Sequence, residues 1–255
     1  IQVGRSGVVA SIAGGSSMSV SRSRRIDLDA SDSYSVDDPS SSSLTYVWTC
    51  AVASAANFGG SCTGFFPEST AQWSIPKNFM SVDTYTITVA VTNEFGRTAT
   101  ASIELNVLEG EAPILSMNPV QTKYNAGKKI ILKGRINATE EAALASWNSD
   151  SFDDFASLEG SIVLTPLTKS CAQGALTPYQ LSIAAHSLEP GITYSFSLRA
   201  VYETVGSTMA VSKVFIVMNE PPSGGTLVID PATGVAITSR FVFRTAYWLD
   251  DEADF

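Results

Sequence analysis

Two stretches decide the fold: TYTITVAVTNEFGRTATASIELNV, residues 84–107, and TYSFSLRAVYETVGSTMAVSKVFIV, residues 193–217. Each opens on Thr-Tyr and alternates apolar with polar residues, Tyr85, Ile87, Val89 and Val91 in one and Tyr194, Phe196, Leu198 and Ala200 in the other. Each turns through a glycine, Gly96 or Gly206, and returns on a second alternating run. A period of two puts one side of a strand against a core and the other in water, so both stretches predict β-hairpins. Tyr85 and Tyr194 lie 109 residues apart, and Gly96 and Gly206 lie 110 apart, which marks an internal repeat.

Upstream, the repeat continues at a somewhat shorter offset of 99 to 104 residues. RIDLDAS (25–31) and KIILKGR (129–135) are alternating runs, each followed by a polar loop and a tryptophan segment, LTYVWTC (44–50) and ALASWNS (143–149). RFVFRTA (240–246) lies 111 residues beyond KIILKGR and fills the same place in a third copy. Pro113 and Pro222 mark the junctions, since proline suits turns and edges. Units of this length with about seven short alternating strands predict an all-β chain of tandem immunoglobulin/fibronectin-III-like β-sandwiches. The expected division is 1–110, 111–219, and the opening strands of a third sandwich in 220–255. Links of about six residues make a semi-rigid array the expectation. Trp48 and Trp147 occupy the third-strand position buried between the sheets, and Tyr85 and Tyr194 the tyrosine-corner position. EEAALASW (140–147) is expected to enter a strand, and 149–160 to carry at most a short helix.

Composition narrows the function classes. The 255 residues are 44% hydrophobic and 16% charged, which argues for a packed core. The net charge of −9 opposes binding to a phosphate backbone, so nucleic acid is not an expected partner. The basic run Arg22-Ser-Arg-Arg25 reads as a solvated loop or strand end. No stretch of 18 apolar residues suggests a membrane span. The chain starts at Ile1 with no leader pattern, and both ends read as cuts through a longer protein.

Catalysis needs a constellation that is missing. His186 is the single histidine and has no nucleophile motif around it, so it reads as a surface or interface residue. The Asp153-Asp154 pair reads as acidic loop chemistry. Cys50 and Cys62 flank a short loop and are the expected disulfide, which by loop closure contributes about 3 kcal/mol. Cys171 is left over. Asn137-Ala-Thr139 is a glycosylation sequon. Asp29, Asp32, Asp37 and Asp38 form a candidate calcium set, weighed against plain turn chemistry, and Asp250, Asp251, Glu252 and Asp254 repeat it in the third copy. No other cofactor is indicated. Trp73, Trp248, Phe65 and Phe66 are candidates for stacking on a sugar, with core packing as the default role.

NEPPSGG (219–225) with the later YWLDDEADF (247–255), SLEPGITYSFSLRA (187–200), and IDLDASDSYSVDDPSSSSLTYVWTC (26–50) together resemble the receptor-for-egg-jelly (REJ) region of polycystin-1-like proteins. The last of these also resembles a PKD repeat, but the Trp-Asp-Phe-Gly-Asp-Gly motif is replaced after Trp48 by Thr49-Cys50. The resemblance covers most of the chain. It implies extracellular placement near cilia or gametes, and roles in adhesion, ligand contact or mechanical coupling. Its expected partners are domains of the same chain or neighbouring extracellular proteins. Two alternatives stay open: a subunit of an extracellular filament or ciliary hair, self-associating through strand edges, and a carbohydrate-binding module.

Overall fold

The computed structural model describes residues 7–36, 43–62, 69–121, 123–204 and 206–250. The strands are β1 (Val8–Val9), β2 (Ser17–Ser21), β3 (Ile26–Asp29), β4 (Tyr34–Ser35), β5 (Thr45–Val52), β6 (Gln72–Ile75), β7 (Thr84–Thr92) and β8 (Thr98–Leu108). They continue with β9 (Ile114–Met117), β10 (Ile130–Asn137), β11 (Ala143–Asn148), β12 (Thr168–Cys171), β13 (Leu176–Ile183), β14 (Thr193–Tyr202) and β15 (Ala210–Val217). A hairpin of β16 (Thr226–Asp230) and β17 (Val242–Ala246) completes the order. The helical content among the described residues is one 3-10 turn, Ala156–Leu158, inside the segment expected to hold at most a short helix. Among the described residues no helix is long and apolar enough to cross a membrane.

Both expected hairpins form, with Thr84 opposite Asn106 and Thr193 opposite Val217. Their burial alternates as the sequence does: on β7 the residues Tyr85, Ile87, Val89 and Val91 face the core. Two cores result, one among residues 12–107 and one among residues 112–218. In the first, β5, β7, β8 and β2 face the β3–β6 pair, and Trp48 meets Trp73 across the gap at 6.1 Å between ring centroids. In the second, β12, β11, β14 and β15 face β13, β10 and β9, and Trp147 meets Tyr179 at 6.0 Å. Pro178 lies on β13, an edge of its sheet, where a missing N–H costs no ladder bond. Gly134, in the middle of β10, leaves room for Leu198, whose Cδ2 would stand 2.6 Å from an added Cβ.

The two cores are not separate beads. The strands β12, β11, β14, β15, β2, β8, β7 and β5 form one continuous eight-stranded sheet. The hairpin β16–β17 stands apart, with all ten strand residues exposed. Tyr247, Leu249 and Phe243 are 81%, 71% and 65% exposed. Trp248 lies across Gly225, where an added Cβ would fall 2.0 Å from the ring.

Candidate functional site: the joint between the two sandwiches

The joint is built on β2. Its sequence, Ser-Met-Ser-Val-Ser, carries little apolar signal, and three of its five residues are nonetheless buried. It runs parallel to β8, with Ser17 opposite Glu104 and Ser21 opposite Leu108. Its other edge pairs antiparallel with β15 of the second sandwich, Ser17 opposite Lys213 and Met18 opposite Ser212. One short strand thus satisfies backbone groups of both units.

The bend before β2 tightens this contact. The Gly14 N–H donates to the Met117 carbonyl at 3.0 Å, and the fully buried Ser212 hydroxyl donates to the Gly14 carbonyl at 2.8 Å. Ser16 donates both its N–H, at 2.7 Å, and its hydroxyl, at 2.8 Å, to the Lys213 carbonyl. Gly15 sits at φ +88°, and an added Cβ would lie 2.6 Å from that same carbonyl oxygen. Only glycine fits there, for backbone angle and for space.

The turn after β2 adds charge. The Arg24 guanidinium bridges Glu111 and Glu140 of the second unit, and its side chain is one-fifth exposed. Burial works against its charge, but the hydrogen bonds to Glu140 and Glu111 outweigh it and raise its pKa. The Ser23 hydroxyl also donates to Glu111, and Arg22 pairs with Glu109 at 3.0 Å. The sequence treats the run 22–25 as a solvated loop. It is a turn, but Arg24 in it clamps the joint. A cleft of about 340 Å³ opens here, lined from both sides by residues such as Met18, Arg24, Pro113 and Leu115.

The sequence-derived residues fall out as follows. Cys50 and Cys62 are bonded, with Cα atoms 5.8 Å apart. Cys171 is a free, buried thiol, its pKa raised by burial. Trp48 and Trp147 are both buried, on β5, the fifth strand of the first unit, and on β11, the third of the second. Trp48 Nε1 donates to the Thr70 carbonyl at 2.9 Å, whereas Trp147 Nε1 is buried without a partner. Tyr85 Oη donates to the Ser81 carbonyl at 3.1 Å, and Tyr194 Oη accepts from the Glu189 N–H at 3.0 Å, which makes two corners of opposite polarity. Asn137 ends β10, half-buried, and Thr139 Oγ1 lies 3.3 Å from Tyr202 Oη. His186 is exposed, with its N–H on the Ala126 carbonyl. Asp153 and Asp154 are exposed, and Asp154 accepts from the Ser157 N–H.

Trp73 takes its default role in the core. As a sugar-stacking surface it is lost, because it points inward from β6 opposite Leu28 and is buried. Trp248 is half-exposed, and Phe65 and Phe66 lie outside the described residues. Of the calcium set, Asp29 uses both carboxylate oxygens already: one accepts from the Ser31 N–H at 2.8 Å, the other from Gln72 Nε2 at 3.0 Å. Burial opposes its ionisation, but these hydrogen bonds outweigh that and lower its pKa. Asp32 is exposed, and Asp37 and Asp38 lie outside the described residues, as do Asp251, Glu252 and Asp254. Among the described residues no three His, Cys, Asp or Glu side chains gather in a metal-binding group.

Comparison with known proteins places the chain. It is 24% identical to human polycystin-1 over 252 residues, which is 94% of this chain and 6% of that protein. Solved structures give weaker likeness. Alpha-2-macroglobulin of Escherichia coli matches over 90% of this chain and 24% of its own, at 9% identity and a TM-score of 0.31. The insect immune protein hemolin matches over 86% and 48%, at 13% identity and a TM-score of 0.28. The Down syndrome cell adhesion molecule matches over 84% and 27%, at 14% identity and a TM-score of 0.29. The sequence profile of the REJ domain, in contrast, matches residues 1–254. With all but its last residue covered by that profile, this chain belongs to the REJ domain family.

Proposed function

We propose that the chain is a non-catalytic extracellular module of a polycystin-like cell-surface protein, acting as a semi-rigid spacer that presents surfaces to neighbouring proteins. Its units are taken as 1–110, 111–219 and the opening of a third sandwich in 220–255. The observation that carries this is the continuous eight-stranded sheet. A spacer needs adjoining units to hold a fixed angle, and β2 supplies the hydrogen bonds that hold it. Family membership and the Cys50–Cys62 bridge favour an oxidising, extracellular setting. Ciliary placement and mechanosensing extend the same proposal.

Spin labels placed one on each sandwich test the spacer role by pulsed dipolar spectroscopy. A single narrow distance distribution is expected. A broad one, like that of flexibly tethered beads, rejects it.

A filament subunit is the second reading, favoured by the exposed β16–β17 hairpin, whose unpaired edges are templates for another strand. Negative-stain images separate the two. Regular polymers support the filament, and isolated particles support the spacer.

A further inference from the structure

The continuous eight-stranded sheet faces a layer that is broken at the joint. On the far side of the cores lie β6–β3 of the first sandwich and β9–β10–β13 of the second, and no strand joins them. β3 and β9 are the facing edges. The cleft of about 340 Å³ at the joint lies between them, lined by Ile26, Asp27 and Asp29 on one side and by Ile114, Leu115 and Ser116 on the other. Met18 and Val20 of β2 give it an apolar floor.

Main-chain groups of both edges point into this gap. The Ala30 N–H, just past β3, donates to the Ala71 carbonyl, just before β6, at 2.8 Å. Antiparallel ladders alternate, so the N–H and C=O of Asp27 and Asp29 turn away from β6. On the other side, the Asn118 N–H donates to the Lys133 carbonyl at 3.0 Å, so the groups of Leu115 and Met117 turn away from β10. The chain itself occupies one end of the gap. The Ala13 N–H donates to the Asp29 carbonyl at 2.7 Å, and the next N–H, of Gly14, donates to the Met117 carbonyl at 3.0 Å. One extended strand therefore spans from β3 to β9 there, and the edges stand two strand spacings apart. The chain keeps to this track with Ile12 and Gly14 buried, then leaves it at the Gly15 bend. From Asp29 back to Arg24 the edge of β3 runs on for about 17 Å, at roughly 3.3 Å per residue. Among the described residues nothing bonds to the outward main-chain groups of Asp27 or Leu115.

A gap one strand wide selects an extended peptide. Its N–H and C=O groups point alternately to the two sides, so it alone serves both edges. Its side chains alternate too. Inward ones meet Met18, Val20 and Leu115, which suits small apolar residues. Outward ones meet Asp27 and Asp29. Arg24 and Arg25 stand at the rim but are already paired, with Glu111 and Glu140 and with Asp27. The rim is left net negative and favours a cation.

We propose that the β3–β9 cleft docks an extended segment of a partner protein, about four residues long, inserted as a strand with apolar residues inward and lysine or arginine outward. Seated there, it continues the track of residues 12–14 and joins the two halves of the broken layer into one sheet. The proposal rests on the fixed joint of the spacer reading.

The probe is a short capped peptide that alternates valine with threonine and carries a lysine at each end. It is titrated into the whole isotope-labelled chain and followed by NMR. The Asp27 and Leu115 amides, one from each sandwich, should shift together with a single dissociation constant. N-methylating either alternate set of peptide amides should weaken binding at least about tenfold, because each set serves one edge. A peptide added to a single outer edge would need only one set. Asp27→Pro removes a donor from the free side of an edge strand and should also weaken binding about tenfold. If that variant misfolds, Asp27→Lys, which keeps the strand and opposes the cation, should act in the same direction. No shift at either amide with peptide in large excess overturns the proposal. So does binding that survives one N-methylated set. A dimer in sedimentation that the peptide dissociates overturns it as well, and makes a second copy the occupant. The spin-label distances separate this failure from that of the spacer: a narrow distribution without peptide binding sinks this proposal alone, and a broad one sinks both.

Discussion

Replacing Gly15 with alanine should uncouple the two sandwiches while leaving both cores intact. The new Cβ would lie 2.6 Å from the Lys213 carbonyl oxygen and 2.9 Å from Val214 Cγ1, at a φ of +88°. Left-handed backbone costs a residue with a side chain about 1–2 kcal/mol. Moving the bend away from Lys213 also breaks the two hydrogen bonds that its carbonyl accepts from Ser16, each worth about 1 kcal/mol. The joint therefore loses about 3 kcal/mol, on the order of a hundredfold in its opening equilibrium. Hydrogen exchange by mass spectrometry reads this directly. Peptides covering 12–22 and 208–217 should exchange about a hundred times faster in the variant. Peptides from β5 and β11, three and two strands away from the β2–β15 seam in the shared sheet, should keep their native protection. The coupling account fails if the joint peptides exchange as before. It fails equally if the β5 and β11 peptides accelerate along with them, because the strain would then be spread through the fold.

Trp48→Phe should destabilise more than Trp147→Phe by about 1–2 kcal/mol in urea titrations, because only Trp48 Nε1 has a hydrogen bond to lose. Cys50→Ala with Cys62→Ala should lower stability by about 3 kcal/mol; native Cys50 and Cys62 should resist alkylation until reduced, and labelling of either before reduction refutes the bond. The Asp29 carboxyl is held below its ordinary value of 3.8 when folded. Its stabilising effect is therefore full above about pH 4 and fades as pH falls through the lower folded value. The stability gap between native protein and Asp29→Asn should accordingly close on acidification, and a gap that widens contradicts the assignment.

The strands that pair locally were legible. Ile87, Val89 and Val91 alternate with threonine and alanine so regularly that the β7–β8 hairpin follows from period alone. Trp48 and Trp147 follow from the repeat. β2 did not, for two physical reasons. Its serines give almost no apolar contrast, and its second partner, Lys213, is 196 residues further along than Ser17. Arg24 was hidden for the same cause: its acids, Glu111 and Glu140, lie 87 and 116 residues away. Trp73 shows the converse. Its default role in the core holds, and its register against Leu28 removes the alternative of a sugar-stacking surface.

The double allegiance of β2 limits how such proteins can be rearranged over evolutionary time. A free-standing sandwich can be duplicated, deleted or moved between genes as a cassette. Here a strand counted in the first sandwich holds main-chain bonds to the second. A cut at 110 would strand Ser16 and Ser17 without Lys213, and leave the edge of β15 bare. The pair is therefore the expected heritable cassette, and insertions should be tolerated in the β11–β12 or β7–β8 connections more readily than between the two sandwiches.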